Sequence, residues 1–331
     1  MFRLINPLKA TVRAIPRHAA YSTSSKPAGN SKLITVGLPL GVSAAAAYAY
    51  YGDKLGGAAA PKAEPVVAAK VAEPVPHALD PNAFVDFKLK RVEKLTPNTS
   101  RFVFELAENQ ALGMNVTSCV VTKFIKEDGK PVIRPYTPTS DHDRVGEFDF
   151  VIKRYEDGLM SKHIHGLKVG DTLAVKGPIS KYPLQANQHK SVSLIAGGSG
   201  ITPMFQIING LLKDNSDKTK INMVFCNISP EDIILKEEID AFAKAHPDRF
   251  KVTYVVDKAG ADWKGPTGYL TVDLVKKYMP ELGSEGNKVF VCAPPAMMKL
   301  VSGDKGPKFT QGEVEGILKD IGLNSEQVFK F

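Results

Sequence analysis

SVSLIAGGSGITPMFQIINGLLK, residues 191–213, is the stretch on which the reading of this chain turns. The run 192–196 is short and apolar, as a buried strand is. Gly197, Gly198 and Gly200 follow, then Ile201, Thr202 and Pro203, then an amphipathic helix over 203–213. Thr202 is an N-cap candidate, and Pro203 suits the first helical position. A helix that begins beside a glycine turn aims free N–H groups and the positive end of its dipole at that turn. Such a place suits a phosphate. Three glycines also make an ordinary tight turn, so the neighbouring sequence has to decide.

C-terminal to this stretch, strand-like and helix-like runs alternate. Strands are expected at 221–227, 250–256 and 288–292, with a last one at 328–331. Helices are expected at 230–246 and 272–279, with a short one after Pro295. This alternation predicts a parallel sheet with helices on both faces over 187–331. Ligands of such sheets sit outside the carboxyl ends of the strands. Three ends carry chemistry: the glycine turn, the run from Asn227 to Pro230, and Cys292-Ala293-Pro294-Pro295. No Arg or Lys lies between Asn227 and Leu235, while Glu231 and Asp232 are acidic. A 2′-phosphate on a bound dinucleotide would call for a cation there, so the run favours NADH over NADPH.

N-terminal to the stretch, residues 81–186 contain short β-type runs at 84–95, 100–106, 118–125, 132–137, 147–155 and 172–176. Phe148, Phe150 and Ile152 alternate with other residues, a period of two. One brief helix is expected at 159–165. Short strands at this spacing predict an antiparallel sandwich or barrel. Within it, Arg134-Pro135-Tyr136-Thr137-Pro138 sets a guanidinium, a phenol and a hydroxyl on a frame stiffened by two prolines. Arg suits bidentate contact with phosphate, and Tyr offers a flat face for stacking. The same run also reads as a proline-bracketed strand end with an exposed Arg. Gly158-Leu159-Met160-Ser161 opens the short helix as a second phosphate cradle.

The formal net charge is +8, from 43 basic and 35 acidic residues. Arg3, Lys9, Arg13, Arg17, Lys26 and Lys32 fall in the first 52 residues, which hold no acid. The rest of the chain is therefore nearly balanced, and no nucleic-acid partner is expected. Residues 1–32, basic and Ser-rich, have the composition of a mitochondrial targeting segment. Residues 33–52 carry no charge and are long enough to span a bilayer, with Tyr48, Tyr50 and Tyr51 at one end. Residues 53–80, rich in Ala, Pro, Lys and Glu, read as a flexible tether. Cys119, Cys226 and Cys292 match no zinc spacing and no disulfide framework, so no metal site is expected.

The motifs Arg-Pro-Tyr-Thr, Gly-Leu-Met-Ser, Gly-Gly-Ser-Gly-Ile-Thr-Pro-Met and Cys-Ala-Pro-Pro occur in one order. That order resembles the ferredoxin-NADP⁺ reductase superfamily and, within it, the membrane-anchored mitochondrial cytochrome b5 reductases of fungi. The resemblance implies a six-stranded antiparallel FAD-binding barrel followed by an NADH-binding α/β domain. It implies that Arg134 holds the FAD pyrophosphate, that Tyr136 and Pro135 pack on the flavin, and that Thr137 hydrogen-bonds it. Val151 and Lys153 fall on the flavin side. Gly158, Met160 and Ser161 take the pyrophosphate. Gly197, Gly198, Ser199, Gly200, Thr202 and Pro203 serve the junction of the two cofactors. Cys292 and Pro294 flank the nicotinamide, and Thr137 and Cys292 are the candidate catalytic residues. Two positions depart from the family pattern: Ala293 stands where Gly is usual, and Leu159 where Lys is common.

The implied activity is hydride transfer from NADH to FAD, then single electrons to a cytochrome b5-like haem protein. The implied setting is the mitochondrial outer membrane, with a processed form in the intermembrane space, and a monomeric state. Another NADH-dependent reductase of the superfamily, acting on quinone, nitrate or ferric substrates, is the alternative. A nucleotide-binding module without catalysis is a third reading.

Overall fold

The computed structural model describes residues 75–331. The expected targeting segment, the expected span and all but the end of the tether lie outside the described residues. No helix among the described residues is long and apolar enough to cross a membrane. The chain joins the first domain before residue 81: Ala78 N–H donates to the Ala111 carbonyl at 2.9 Å, and Leu79 is buried.

Six strands form the first sheet: β1 (Val85–Thr96), β2 (Thr99–Glu105), β3 (Ser118–Ile125), β4 (Pro131–Tyr136), β5 (Glu147–Lys153) and β6 (Thr172–Ser180). Their order is β4-β3-β6-β1-β2-β5, and every pairing is antiparallel. The alternating residues of β2 and β5 turn inward. Phe104 stacks on Phe148 at 5.4 Å, and Phe87 meets the same ring edge-on at 5.0 Å. The expected barrel is not closed by hydrogen bonds, because β4 and β5 are the two ends of the sheet. They approach through side chains, with Tyr136 and Phe150 ring centroids 6.0 Å apart. Pro131, Pro135 and Pro138 lack the N–H donors a further ladder would need, which keeps β4 at an edge. Helix α1 (Leu159–Gly166) follows β5 and buries Met160 and Ile164 against this core.

The second sheet is parallel, in the order β11-β10-β7-β8-β9. Its strands are β7 (Ser191–Gly197), β8 (Lys220–Asn227), β9 (Phe250–Val256), β10 (Asn287–Cys292) and β11 (Val328–Lys330). The helices are α2 (Ile201–Lys213), α3 (Lys236–Ala245), α4 (Val272–Tyr278), α5 (Pro295–Ser302) and α6 (Gly316–Asp320). β7 is buried throughout. Its Val192, Leu194 and Ala196 pack under α2, while Ile195 faces the opposite core with Val301 and Leu318. That division is the period-two alternation of a strand covered on both faces.

Two expectations on the helices need correction. The helix expected over 230–246 is a 3₁₀ turn, Pro230–Asp232, followed separately by α3. Between them Ile233, Ile234 and Leu235 are all buried, and Leu235 takes a left-handed φ of 58°. Ile233 is extended, at φ −70° and ψ 102°, and Leu235 is the cap of α3, so the backbone leaves the helical region between the two elements. Helix α6 was not foreseen in the sequence.

Candidate functional site

Strand order reverses between β7 and β10: the chain runs β7, β8, β9 in one direction, then places β10 on the other side of β7. The crevice at such a reversal, beyond the carboxyl ends of the strands, is where sheets of this kind take ligands. Here β7 ends in the glycine turn and β10 ends in Cys292-Ala293-Pro294-Pro295.

Each glycine has a separate reason. A Cβ on Gly200 would stand 2.0 Å from the Cys292 carbonyl oxygen, so the two turns touch backbone to backbone. A Cβ on Gly197 would meet Met297 Sδ at 2.6 Å and Ala293 Cβ at 3.0 Å. Gly198 adopts φ +51°, the left-handed region that favours glycine. Residues Gly198–Gly200 form a 3₁₀ turn that runs straight into α2. The helix therefore starts earlier than the sequence suggested. Gly200 is its cap, and Thr202 lies inside the first turn, donating from Oγ1 to the Ser199 carbonyl at 3.3 Å. Pro203 is the third helical residue, still within the first turn, where an N–H has no partner to lose. Ala293 is not among the residues with positive φ, so Ala in place of Gly adds no backbone strain there.

A cavity of about 910 Å³ lies between the β4–β5 gap and these turns. It brings together Arg134, Pro135, Tyr136, Thr137, Val151, Lys153, Ser199, Gly200, Thr202, Pro203, Cys292 and Pro294. A second cavity of about 320 Å³ adjoins it, lined by Lys153, Gly197, Gly198, Asn227, Asp257, Tyr269 and Pro294 among others. Gly158, Met160 and Ser161 line neither. The Met160 side chain is in the core, and the Ser161 hydroxyl donates to the Gly158 carbonyl at 3.1 Å and accepts from Tyr155 N–H at 3.2 Å. A Cβ on Gly158 would meet Ser161 Oγ at 2.4 Å. This tight turn fixes Tyr155, which borders both cavities and shares a hydrogen bond with Ser199 across the domains, 2.7 Å between oxygens.

The electrostatics separate two regions. The larger cavity is lined by Arg134, Lys153, Lys181 and Lys305, and by no Asp or Glu side chain. Lys153 is held by Asp232 at 3.1 Å. Arg134 is exposed, with one N–H donated to the neighbouring Ile133 carbonyl at 2.8 Å, which leaves most of its fork open. Burial pushes the Tyr136 phenol up to about 12, and pushes the Cys292 thiol up to about 12 as well. Cys292 is therefore a neutral, soft wall rather than a thiolate nucleophile. In the smaller cavity, Asn227 is 7 % exposed, and neither its Oδ1 nor its Nδ2 has a partner. A buried amide with both ends unsatisfied is costly unless a polar ligand meets it.

An elongated ligand with an anionic middle and flat rings fits this pair of spaces: an apolar slot, an open guanidinium at Arg134, and the start of α2 beside Gly200 and Thr202, which has no side-chain cap. The smaller cavity offers no free cation for a 2′-phosphate, since its one lysine is paired with Asp232. Tyr155, Lys181, Asp257, Tyr269 and Lys305 were missed in the sequence. Asp257, one residue beyond β9, could have been found from the strand-end rule; the others reach the site only through tertiary placement.

Comparison with known proteins identifies the two domains that border these cavities. Residues 86–183 match the family of oxidoreductase FAD-binding domains, and residues 194–303 match that of oxidoreductase NAD-binding domains. NADH-cytochrome b5 reductase 2 of Yarrowia lipolytica is 48% identical over 249 residues, 75% of this chain and 86% of the relative. The protein of that name from Aspergillus fumigatus is 40% identical over 331 residues, 99% of this chain and 98% of the relative. Among solved structures, the cytochrome b5 reductase domain of Ulva prolifera nitrate reductase superposes with a TM-score of 0.67 at 29% identity. It covers 76% of this chain and 99% of that domain. With both cofactor domains matched in order and identity sustained over nearly the whole length of a relative, the chain belongs to the NADH-cytochrome b5 reductase family.

Proposed function

We propose that this protein is an NADH-dependent flavoenzyme that reduces cytochrome b5 or a similar haem protein. FAD, when bound, supplies the chemistry that accepts a hydride and releases electrons one at a time. The chain's own residues bind, orient and exclude water. Arg134 and the first turn of α1 hold the pyrophosphate, the latter through backbone N–H groups, since the Ser161 hydroxyl is engaged in its own turn. Tyr136 and Thr137 hold the ring, and Cys292 and Pro294 border the nicotinamide from the opposite wall.

One observation carries this reading: the backbone contact of Gly200 with Cys292 closes a single cavity between the flavin-side strand β4 and the nucleotide-side strand β10. Residues on opposite walls of this cavity would hold the flavin on one side and the nicotinamide on the other, and such positioning is the main contribution asked of the protein. No tuned acid is needed for a hydride step.

Residues 1–52 support a finer reading, in which 1–32 target the protein to mitochondria and 33–52 anchor a monomer in the outer membrane, with a processed form in the intermembrane space. The uncharged run and the one-sided basic charge support it. Removing 1–52 should give a soluble protein that keeps its flavin.

The test of the activity is direct. Purified protein should be yellow, and NADH should drive reduction of a soluble cytochrome b5 haem domain. A colourless protein, or a yellow one that leaves the haem oxidised, would refute the proposal.

A further inference from the structure

The loop at residues 303–312 has a fixed base and an unusual tip. The Lys330 ammonium donates to the carbonyls of Asp304 and Glu313 at 2.9 and 2.7 Å. Gln311 clamps the Lys330 backbone from both sides, accepting its N–H at 2.6 Å and donating to its carbonyl at 3.1 Å. Beyond that staple, Pro307 precedes two consecutive non-glycine residues with left-handed backbone, Lys308 at φ 55° and Phe309 at φ 62°. Phe309 is 85 % exposed, and it also borders the larger cavity together with Lys305 and Lys181. Lys181, Lys305 and Lys308 take part in none of the ion pairs among the described residues, from Lys90 with Glu147 to Arg249 with Asp217. Between residues 305 and 311 the loop has two lysines and no carboxylate.

A strained, stapled tip that exposes an aromatic ring needs a reason, since neither feature helps the isolated chain. An exposed aromatic next in sequence to one unpaired lysine, with two more unpaired lysines on the same cavity lining, has the composition of a protein-docking hot spot, with the charges steering an acidic partner. Electrons leaving the cavity must pass its walls, and Phe309 is a wall residue that also faces solvent. Helix α1 is the competing place, because Leu159 is 51 % exposed and Lys162 lies beside it, but neither residue borders the cavity.

We propose that Lys308 and Phe309, with Lys305 and Lys181 behind them, form the docking surface for an acidic electron-accepting protein. The proposal rests on the acceptor reading given above. The rigid base keeps the tip pre-organised, so little ordering is lost on docking.

The probe is a soluble cytochrome b5 haem domain with the full-length, FAD-loaded enzyme. Phe309→Ser and Lys308→Glu should each raise the KM for the haem domain about tenfold. Lys308→Glu should also flatten its dependence on ionic strength. Lys308→Glu should bleach with NADH at the wild-type rate, because Lys308 borders neither cavity, and that rate reports the flavin and nucleotide sites independently of docking. An unchanged KM in both variants, or a larger effect of Lys162→Glu on α1, would overturn the proposal. So would Phe309-dependent sedimentation with phosphatidylserine vesicles at unchanged KM, which would make the tip a membrane contact. Wild-type enzyme that bleaches with NADH but never reduces the haem domain would overturn the acceptor reading itself, and the docking proposal with it.

Discussion

Gly200 and the carbonyl of Cys292 leave no room for a methyl group between them: a Cβ at position 200 would lie 2.0 Å from that oxygen. The contact joins the end of β7 to the end of β10 at the point where strand order reverses. Gly200→Ala must push one turn away from the other. It should destabilise the protein by about 1–3 kcal/mol and loosen FAD and NADH together. Gly198→Ala is the control. Nothing lies within 4 Å of its Cβ, so only the backbone φ of +51° resists, at about 1–2 kcal/mol. Thermal melting with FAD retention separates the two, since Gly198 lines only the smaller cavity, and equal FAD loss in both variants would dispute the contact.

Arg134 has an open guanidinium at the edge of the larger cavity. Arg134→Ala should weaken FAD retention roughly tenfold or more, as the loss of a charge-assisted contact does. The NADH KM of the residual loaded enzyme should change less. Equilibrium dialysis of FAD alongside steady-state kinetics measures both, and the reverse ranking would move Arg134 to the other cofactor.

Lys153 and Asp232 are 3.1 Å apart and link the two domains beside the nucleotide cavity. Asp232→Ala would free the ammonium to meet a 2′-phosphate. The NADPH to NADH ratio of kcat/KM should rise about tenfold. No change in that ratio would mean that the pair does not set the cofactor preference.

Glu147 is held well below the usual carboxylate range, at about 2, by hydrogen bonds from Arg91 and then Lys90. A depressed native value stabilises the fold above the unfolded carboxylate range and loses that stabilisation as pH falls toward 2. The stability gap between wild type and Glu147→Gln should therefore be full at pH 6 and shrink between about pH 4.5 and 2. Chemical denaturation across that window checks it, and a gap independent of pH would exclude the mechanism.

The sequence made the two sheets legible because each follows one period. Phe148, Phe150 and Ile152 alternate as a strand with one face in a core must, and the β–α alternation after residue 191 leaves few topologies. The glycine turn, Arg134–Thr137 and the Cys292 turn could be named for the same reason, since backbone shape restricts residue type at each. What stayed hidden depends on partners far apart in sequence. Thr202 lost the cap because the 3₁₀ turn before it already begins the helix. The Ser161 hydroxyl was spent on Tyr155, and Tyr155 reached Ser199 across the domain boundary. The gap between β4 and β5, where the cavity opens, follows from prolines whose effect on sheet closure shows only in three dimensions.

Anaerobic rapid mixing of the FAD-loaded protein with NADH tests the central claim, that this cavity holds nicotinamide against flavin. One equivalent of NADH should bleach the flavin absorbance in a single fast phase, and deuterium at the transferred position of the nicotinamide should slow that phase severalfold. Flavin that stays oxidised, or bleaching equally fast with NADPH and indifferent to deuterium, would contradict the account.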